Sequence, residues 1–518
     1  VMLRCLAAFL GGVVLSLAFE PVGVAALMPV ALAVLVLSVR GLTVGRGALV
    51  GWLFGLGFMA TLLWWMRAVG TDAWLALTFF QALYLAPLGM VLALVTRLRA
   101  WPVWAAFAWV AVETWRGAWP FGGLPWGRLT YATADTLWQP VVPWLGMTGT
   151  SLLIALSGTT LAWLVTSRLR RPVAALLAVG GLAALTLLPL AGSYDAVPGV
   201  SSRGEDLTVA AVQGDVPGDG TDVPAVHREI TANHVALTEQ LADDVEAGTV
   251  PRPDLVVWPE NSTAVDPFTD AEVNAGIVAA SDAIGVPILV GGMADSPREG
   301  EVLNQGIVWR PRLGGGDRYT KRHPVPYGEY IPFRGSILPD TYGQLALIPR
   351  DMARGTSLEP LRVGDALVAD AICFDVAYDD VIHGQLANGG ELVTVQTSNA
   401  MFINTAQIDQ QFEISRLRAV ETGRYVVVAA INGVSGIVAP DGTVVESAAP
   451  RTQDVLVAEV PLAHGLTPGV WMGPWPGRVS VAITVLGLAF ILVPYRRPTQ
   501  HDSDTTTGRS RTMTRVSA

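Results

Sequence analysis

The sequence predicts an α-helical transmembrane bundle of eight spans joined to an α/β domain, and three observations predict it. Only 15% of the 518 residues are charged and 51% are hydrophobic, with a mean hydropathy of +0.44. Soluble domains carry about 25% charged residues. Long apolar runs fill the chain to about residue 192. After residue 206 charge returns, and short β-type runs alternate with amphipathic helical ones, as in α/β domains. The net charge of −10 and pI near 5.2 argue against a nucleic-acid partner. The chain has no G-x-x-x-x-G-K-[ST] phosphate loop, no zinc spacing and no internal repeat. No cofactor or metal is expected.

Taken in order, the apolar runs are Leu3–Phe19, Val22–Val39, Ala48–Met66, Trp74–Val95, Trp101–Trp115, Val141–Val165 and Val173–Leu190. Most match the roughly 17–25 residues that cross a bilayer as a helix. The first run is followed at once by a second with no small-residue cleavage site, so an uncleaved span is expected. Arginines set the orientation. Arg40 and Arg46, then Arg97 and Arg99, then Arg168, Arg170 and Arg171, and last Arg496 and Arg497 make every second connection basic. Basic connections stay in the cytoplasm. The N-terminus is then expected inside, and the chain outside after the seventh span. Arg67, Arg116 and Arg128 lie in longer or mixed connections.

The connection Arg116–Pro140, RGAWPFGGLPWGRLTYATADTLWQP, is dense in Trp, Gly and Pro. Trp119, Trp126 and Trp138 suit the headgroup level, where indole is half apolar and half wet. The same density makes this connection a candidate wall for lipid access. Ala191–Asp206 reads as a Gly/Ser/Pro linker.

From Leu207 to about Leu462, strands are expected at Leu207–Gln213, Leu255–Trp258, Pro287–Gly291, Gly306–Trp309, Ala366–Cys373, Leu392–Gln396, Tyr425–Ile431, Gly436–Ala439 and Val455–Val460. Helices are expected at Val223–Glu246, Asp270–Ile284 and Thr405–Thr422. A last run, Val479–Val493, returns the chain to the cytoplasm, and Tyr495–Ala518 reads as a disordered tail. The expected domains are thus 1–192 with seven spans, 193–206 as linker, 207–465 as an extracytoplasmic α/β domain, 466–495 as the eighth span and 496–518 as tail.

One stretch carries chemistry. Ala369–Asp380, ADAICFDVAYDD, places Cys373 at the end of an expected strand. The other cysteine of the chain, Cys5, lies in the first apolar run, so neither a disulfide nor a metal set suggests itself. A lone cysteine is most often core. Two further titratable residues also follow strands: Glu260 in LVVWPEN, and Lys321 after a Gly-rich turn in RYTKRHPVPYGEYIPFR. Ligands collect at the carboxyl ends of strands in open α/β sheets. Three strands would then bring a carboxylate, an ammonium and a thiol to one rim. Glu260 would serve as general base, Lys321 would hold charge on a tetrahedral intermediate, and Cys373 would form a thioester. Singly, each residue is more often a surface or core group. None of the six histidines sits in a recognisable Cys/His setting.

Trp258–Asn261 (WPEN), Tyr319–Arg334 (YTKRHPVPYGEYIPFR) and Ile372–Asp375 (ICFD) resemble the three signatures of the nitrilase, or carbon–nitrogen hydrolase, superfamily. With the membrane layout, the chain over nearly its whole length resembles the bacterial apolipoprotein N-acyltransferase family. VQGD at Val212–Asp215 and FGGLPWGRLTYA at Phe121–Ala132 are weaker matches. The resemblance implies an αββα sandwich and a catalytic triad of Glu260, Lys321 and Cys373. It also implies support from Glu329, with Phe374 and Asp375 where relatives often have Tyr and Glu. Substrate contacts are expected from Tyr327, Tyr330, Trp126 and Asn304. A Trp that many relatives carry after the first strand is absent from Gly218–Val223.

The implied reaction moves an acyl chain from a membrane phospholipid to Cys373, then to the α-amine of the diacylglyceryl-cysteine that begins a maturing lipoprotein. A monomer in the bacterial cytoplasmic membrane is expected, with both termini cytoplasmic. Two other readings compete: a membrane-tethered nitrilase-type amidase with water as acceptor, and a non-enzymatic envelope scaffold. The intact Glu260, Lys321 and Cys373 argue against the scaffold.

Overall fold

The structure, a computed structural model, describes residues 1–167, 172–187, 199–336, 339 and 342–492. Its first part is helical: α1 (Met2–Ser16), α2 (Leu27–Val39), α3 (Val44–Leu62), α4 (Thr71–Leu83), α5 (Leu85–Val95), α6 (Trp101–Arg116), α7 (Val142–Ser167) and α8 (Pro172–Leu187). The backbone stays helical through Tyr84, so α4 and α5 run on as one stretch. Val44–Leu62, Thr71–Val95 and Gln139–Ser167 are long and apolar enough to cross a membrane. Met2–Ser16, Leu27–Val39, Pro172–Leu187 and Trp475–Ile491 are apolar but shorter. Among the described residues, length and composition thus mark three helices as long enough to cross, and four further apolar helices are shorter. The first two runs are shorter than expected because Leu17–Ala26 turns instead of continuing a helix. Arg168, Arg170, Arg171, Arg496, Arg497 and the tail lie outside the described residues.

Small residues set how closely these helices pack. A Cβ added at Gly51 of α3 would fall 2.1 Å from the Leu85 carbonyl oxygen, and one at Gly89 of α5 would fall 2.1 Å from that of Gly47. Backbone thus meets backbone along the α3–α5 seam, as is common where helices associate in lipid.

The second part runs β1 (Val200–Gln213), α9 (His227–Glu246), β2 (Leu255–Val257), α10 (Ala271–Ile284), β3 (Ile288–Asp295), β4 (Glu301–Arg310), β5 (Gly314–Thr320), β6 (Asp351–Met352), β7 (Leu361–Val363) and β8 (Ala366–Ile372). It continues with α11 (Asp379–Ala387), β9 (Leu392–Thr397), α12 (Ala406–Thr422), β10 (Val426–Ala430), β11 (Ser435–Val438), β12 (Val444–Ala448) and β13 (Asp454–Gly465), then α13 (Pro468–Met472) and α14 (Trp475–Leu492). One sheet has the order β13-β1-β2-β3-β4-β5, with β6 on β4; the other has the order β12-β11-β10-β9-β8-β7. The central pairs β1–β2, β2–β3, β8–β9 and β9–β10 are parallel. Strands β2, β9 and β10 are wholly buried, as parallel strands covered on both faces must be.

Three differences from the expected elements have physical causes. The linker shortens, because Val200–Ser202 already pairs with Ala463–Gly465 of β13. The Gly-rich segment before Lys321 is itself strand β5. A Cβ added at Gly315 would meet the Phe268 ring at 2.7 Å, so glycine there admits a close aromatic neighbour. Helices α10 and α12 start one residue late, because Asp270 and Thr405 cap them with side-chain oxygens on the N–H groups of Val273 and Gln407.

The two sheets face each other, with α9 and α10 outside the first and α11 and α12 outside the second. Leu241, Val273, Ile277 and Ile284 pack on Val212, Val256, Ile288 and Val290 to close one outer layer. α12 is buried on both sides. It lies between the second sheet and α7 with the connection after α6.

Candidate active site

The chain delivers the three candidate residues from three strand ends. Glu260 stands three positions past β2, Lys321 directly past β5, and Cys373 directly past β8. Lys321 is fully buried and Glu260 nearly so. Lys321 Nζ donates to Glu260 Oε1 at 3.0 Å and to Glu329 Oε1 at 2.5 Å. Glu260 is held at both oxygens: Asn304 Nδ2 donates to Oε1 at 2.7 Å, and the Ser398 N–H donates to Oε2 at 2.8 Å. Glu329 Oε2 accepts the Val325 N–H at 2.8 Å.

Burial alone would lower the Lys321 ammonium, but Glu260 and Glu329 outweigh it and hold it well above the ordinary lysine range. Burial raises the Glu329 carboxyl, and Lys321 pulls it back only in part. Burial also pushes the Cys373 thiol up to about 12. The Glu260 charge adds to that, while Lys321 and a hydrogen bond with Thr397 oppose it. At neutral pH the thiol therefore keeps its proton until a base takes it. Cys373 has φ +53, a left-handed value that a β-carbon disfavours, in a sharp strand-to-turn corner.

Asp375 ties that corner to the lysine segment. Its Oδ2 accepts from the Tyr319 hydroxyl at 2.7 Å and from the Arg322 N–H at 3.1 Å, and its Oδ1 accepts from the His323 N–H at 2.8 Å. Arg322 and His323 directly follow Lys321. The Phe374 ring stacks on Trp126, with centroids 5.8 Å apart.

The Trp-rich connection adjoins this corner. The Tyr131 hydroxyl donates to the Ala377 carbonyl at 2.5 Å, and the Tyr378 hydroxyl donates to that of Gly123 at 2.8 Å. Phe121 meets Phe333 edge to face at 5.8 Å. Trp126 and Asn304 are buried, and their contacts are to protein: Trp126 Nε1 donates to Gln410 at 2.7 Å, and Asn304 to Glu260. Tyr327 is exposed and Tyr330 half-buried. Thr397 and Ser398, at the end of β9, also reach the site, although the sequence reading did not single them out. The signal was available, because β9 is the parallel neighbour of β8 and its carboxyl end shares the same rim.

Residues 11–160 match the family model described as apolipoprotein N-acyltransferase N-terminal domain, and residues 208–465 match carbon-nitrogen hydrolase. Among curated proteins, the apolipoprotein N-acyltransferase of Mycolicibacterium smegmatis is 35% identical, over 94% of this chain and 84% of its own. That of Methylococcus capsulatus is 30% identical, over 94% and 95%. A carbon-nitrogen hydrolase structure from Helicobacter pylori G27 aligns with a TM-score of 0.36 and 17% identity, over 49% of this chain and 89% of that one, too low a score to weigh on the assignment. With matches in both parts of the chain and relatives 30–35% identical over 94% of it, the chain belongs to the apolipoprotein N-acyltransferase family.

Proposed function

We propose that the chain N-acylates the amino-terminal diacylglyceryl-cysteine of bacterial lipoproteins, with a phospholipid as acyl donor and a thioester on Cys373 as the intermediate. One observation supports the catalytic assignment: a cysteine in a left-handed corner, near the edge where the helical part docks, feels the charges of a buried Glu260–Lys321–Glu329 array.

In the first half-reaction, Cys373 Sγ attacks the phospholipid ester carbonyl while Glu260 takes the thiol proton. Lys321 faces the developing oxyanion. As the ester C–O bond breaks, the proton passes from Glu260 to the departing lysophospholipid oxygen. In the second, the lipoprotein α-amine attacks the thioester carbonyl. Glu260 takes a proton from nitrogen and returns it to sulfur as the C–S bond breaks. Burial pushes the thiol up to about 12, so a free thiolate is scarce and Glu260 is needed to take the proton.

Both substrates keep their acyl chains in the bilayer, since moving each CH₂ into water costs about 0.8 kcal/mol. A rim at the membrane face avoids that cost. The exposed Phe121, Tyr327 and Phe333, on the Trp-rich connection and the lysine loop, suit its border. Eight crossings, with 207–465 outside and basic connections inside, fit this arrangement.

The test is incubation of the purified protein with phospholipid and a diacylated lipopeptide. Triacylated lipopeptide and an acyl adduct on Cys373 are expected by mass spectrometry. Free fatty acid without triacylated product would instead indicate an amidase-like hydrolase.

A further inference from the structure

Between the two sheets, three positions before Cys373, two buried oxygens without a hydrogen-bond partner lie against the same glycine. Asp370 and Gln396 are both fully buried. Asp370 Oδ2 and Gln396 Oε1 have no hydrogen-bond partner. A Cβ added at Gly306 of β4 would fall 2.2 Å from the first and 2.6 Å from the second, so both crowd the same glycine. The orientation of the Gln396 amide is fixed. Its Nε2 donates to the carbonyls of Trp258 at 2.5 Å and Leu289 at 3.2 Å, which leaves Oε1 as the atom on the Gly306 side, where Asp370 Oδ2 also lies. Two buried acceptors that share one space need a proton.

We propose that Asp370 is a protonated carboxylic acid whose Oδ2–H donates to Gln396 Oε1, closing a bridge from β8 through β9 to the carbonyls of Trp258 and Leu289 in the opposite sheet. The bridge makes Asp370 a positioning residue. It joins the strand that ends in Cys373 to Trp258, two positions before Glu260, and Gln396 is followed by Thr397, which bonds Cys373. Burial raises the carboxyl to about 7. The charged group facing it is Asp375, from the turn after β8, which raises it further, and Tyr319 of β5 faces it as a neutral phenol. Thr394 of β9 donates to Oδ1 at 2.8 Å, and Gln385 of α11 pairs with the Asp370 backbone; both are neutral. Ionisation would set an anion against Gln396 Oε1 and spread the two strand ends that carry the reaction.

The role rests on the acyltransferase reading, but the proton can be tested without it. Infrared difference spectra of wild type against Asp370→Asn in detergent should show a protonated-carboxyl stretch that disappears as pH rises through about 7. Thr394→Val, which removes a donor from the same carboxyl, should shift that band. Asn supplies an N–H in place of the O–H. Acyl-enzyme formation by Asp370→Asn should therefore match wild type near about pH 6 and exceed it by about threefold near about pH 8.5, where wild type has ionised. Absence of the carboxyl band at about pH 5 would overturn the proposal, as would a wild-type-to-variant ratio that does not change with pH.

Discussion

Lys321 shows how much one buried charge can organise. An ammonium with no exposure is tolerable only because two carboxylates meet it, at 3.0 and 2.5 Å. In the proposed mechanism Glu260 takes and returns a proton, and Glu329 would hold the lysine charged while Glu260 changes state. Glu329→Gln keeps the shape and removes that charge. Acyl-adduct formation on Cys373 should fall about ten- to a hundredfold, the value of one charged hydrogen bond, with the phospholipid KM little changed. A large rise in KM instead would make Glu329 a substrate contact. Asp375 accepts three hydrogen bonds, two of them from the backbone just after Lys321. Asp375→Asn must turn an N–H toward one of these donors, which costs about 1–3 kcal/mol. The expected result is a lower kcat with lipid affinity retained. Tyr319→Phe removes only one donor and should do less harm.

At the scale of elements, the strands that lead to Glu260 and Cys373 were legible because each is a short apolar run that breaks off just before a motif of polar or reactive residues. β5 was not legible, since GGGDRYT has the composition of a turn, and only the aromatic face of Phe268 explains its glycines. Strands β7 and β12 are short edge elements at the two ends of one sheet, and their pattern is too brief to read. The αββα layering came from the motifs and not from periodicity, because periodicity does not say which faces meet. The apolar runs marked the helices but not how they pack. That depends on glycines whose partners are distant in sequence. Gly51→Val would drive a side chain into the Leu85 carbonyl, which a Cβ alone would approach to 2.1 Å. Helices α3 and α5 would have to separate. The variant should lose several degrees of thermal stability in detergent, read by intrinsic tryptophan fluorescence, whereas Gly45→Val, with nothing within 4 Å of its Cβ position, should not.

Across the whole molecule, the helical part and the sandwich are joined by charge as well as by packing. Arg128, on the connection after α6, pairs with Asp379 at 2.8 Å. Arg418 of α12 pairs with the same carboxylate at 2.9 Å and with Glu421 at 2.5 Å. Arg418 Nε also donates to the Val376 carbonyl at 2.8 Å, within the turn that begins at Cys373. His383 lies close enough to Asp379 and Glu421 for the three to resemble a cation site. Two guanidiniums already neutralise those carboxylates, however, so the cluster is built as an ionic joint. Burial would raise the Asp379 carboxyl, but Arg128 and Arg418 hold it far below the usual carboxylate range. Its contribution to stability is therefore complete above the unfolded value near about 3.9 and is lost only as pH falls through the much lower folded value. Asp379→Asn leaves two guanidiniums short of their counter-ion and should cost about 3 kcal/mol at neutral pH. That cost should appear as an earlier fluorescence transition on heating and as slower alkylation of Cys373 by a water-soluble reagent, because the turn that begins at Cys373 loses its anchor. Arg128→Met together with Asp379→Leu removes both charges of the pair that spans the joint and should recover part of the lost stability. If the single and double variants melt together, the joint is held by packing alone and Arg128 carries no part of it.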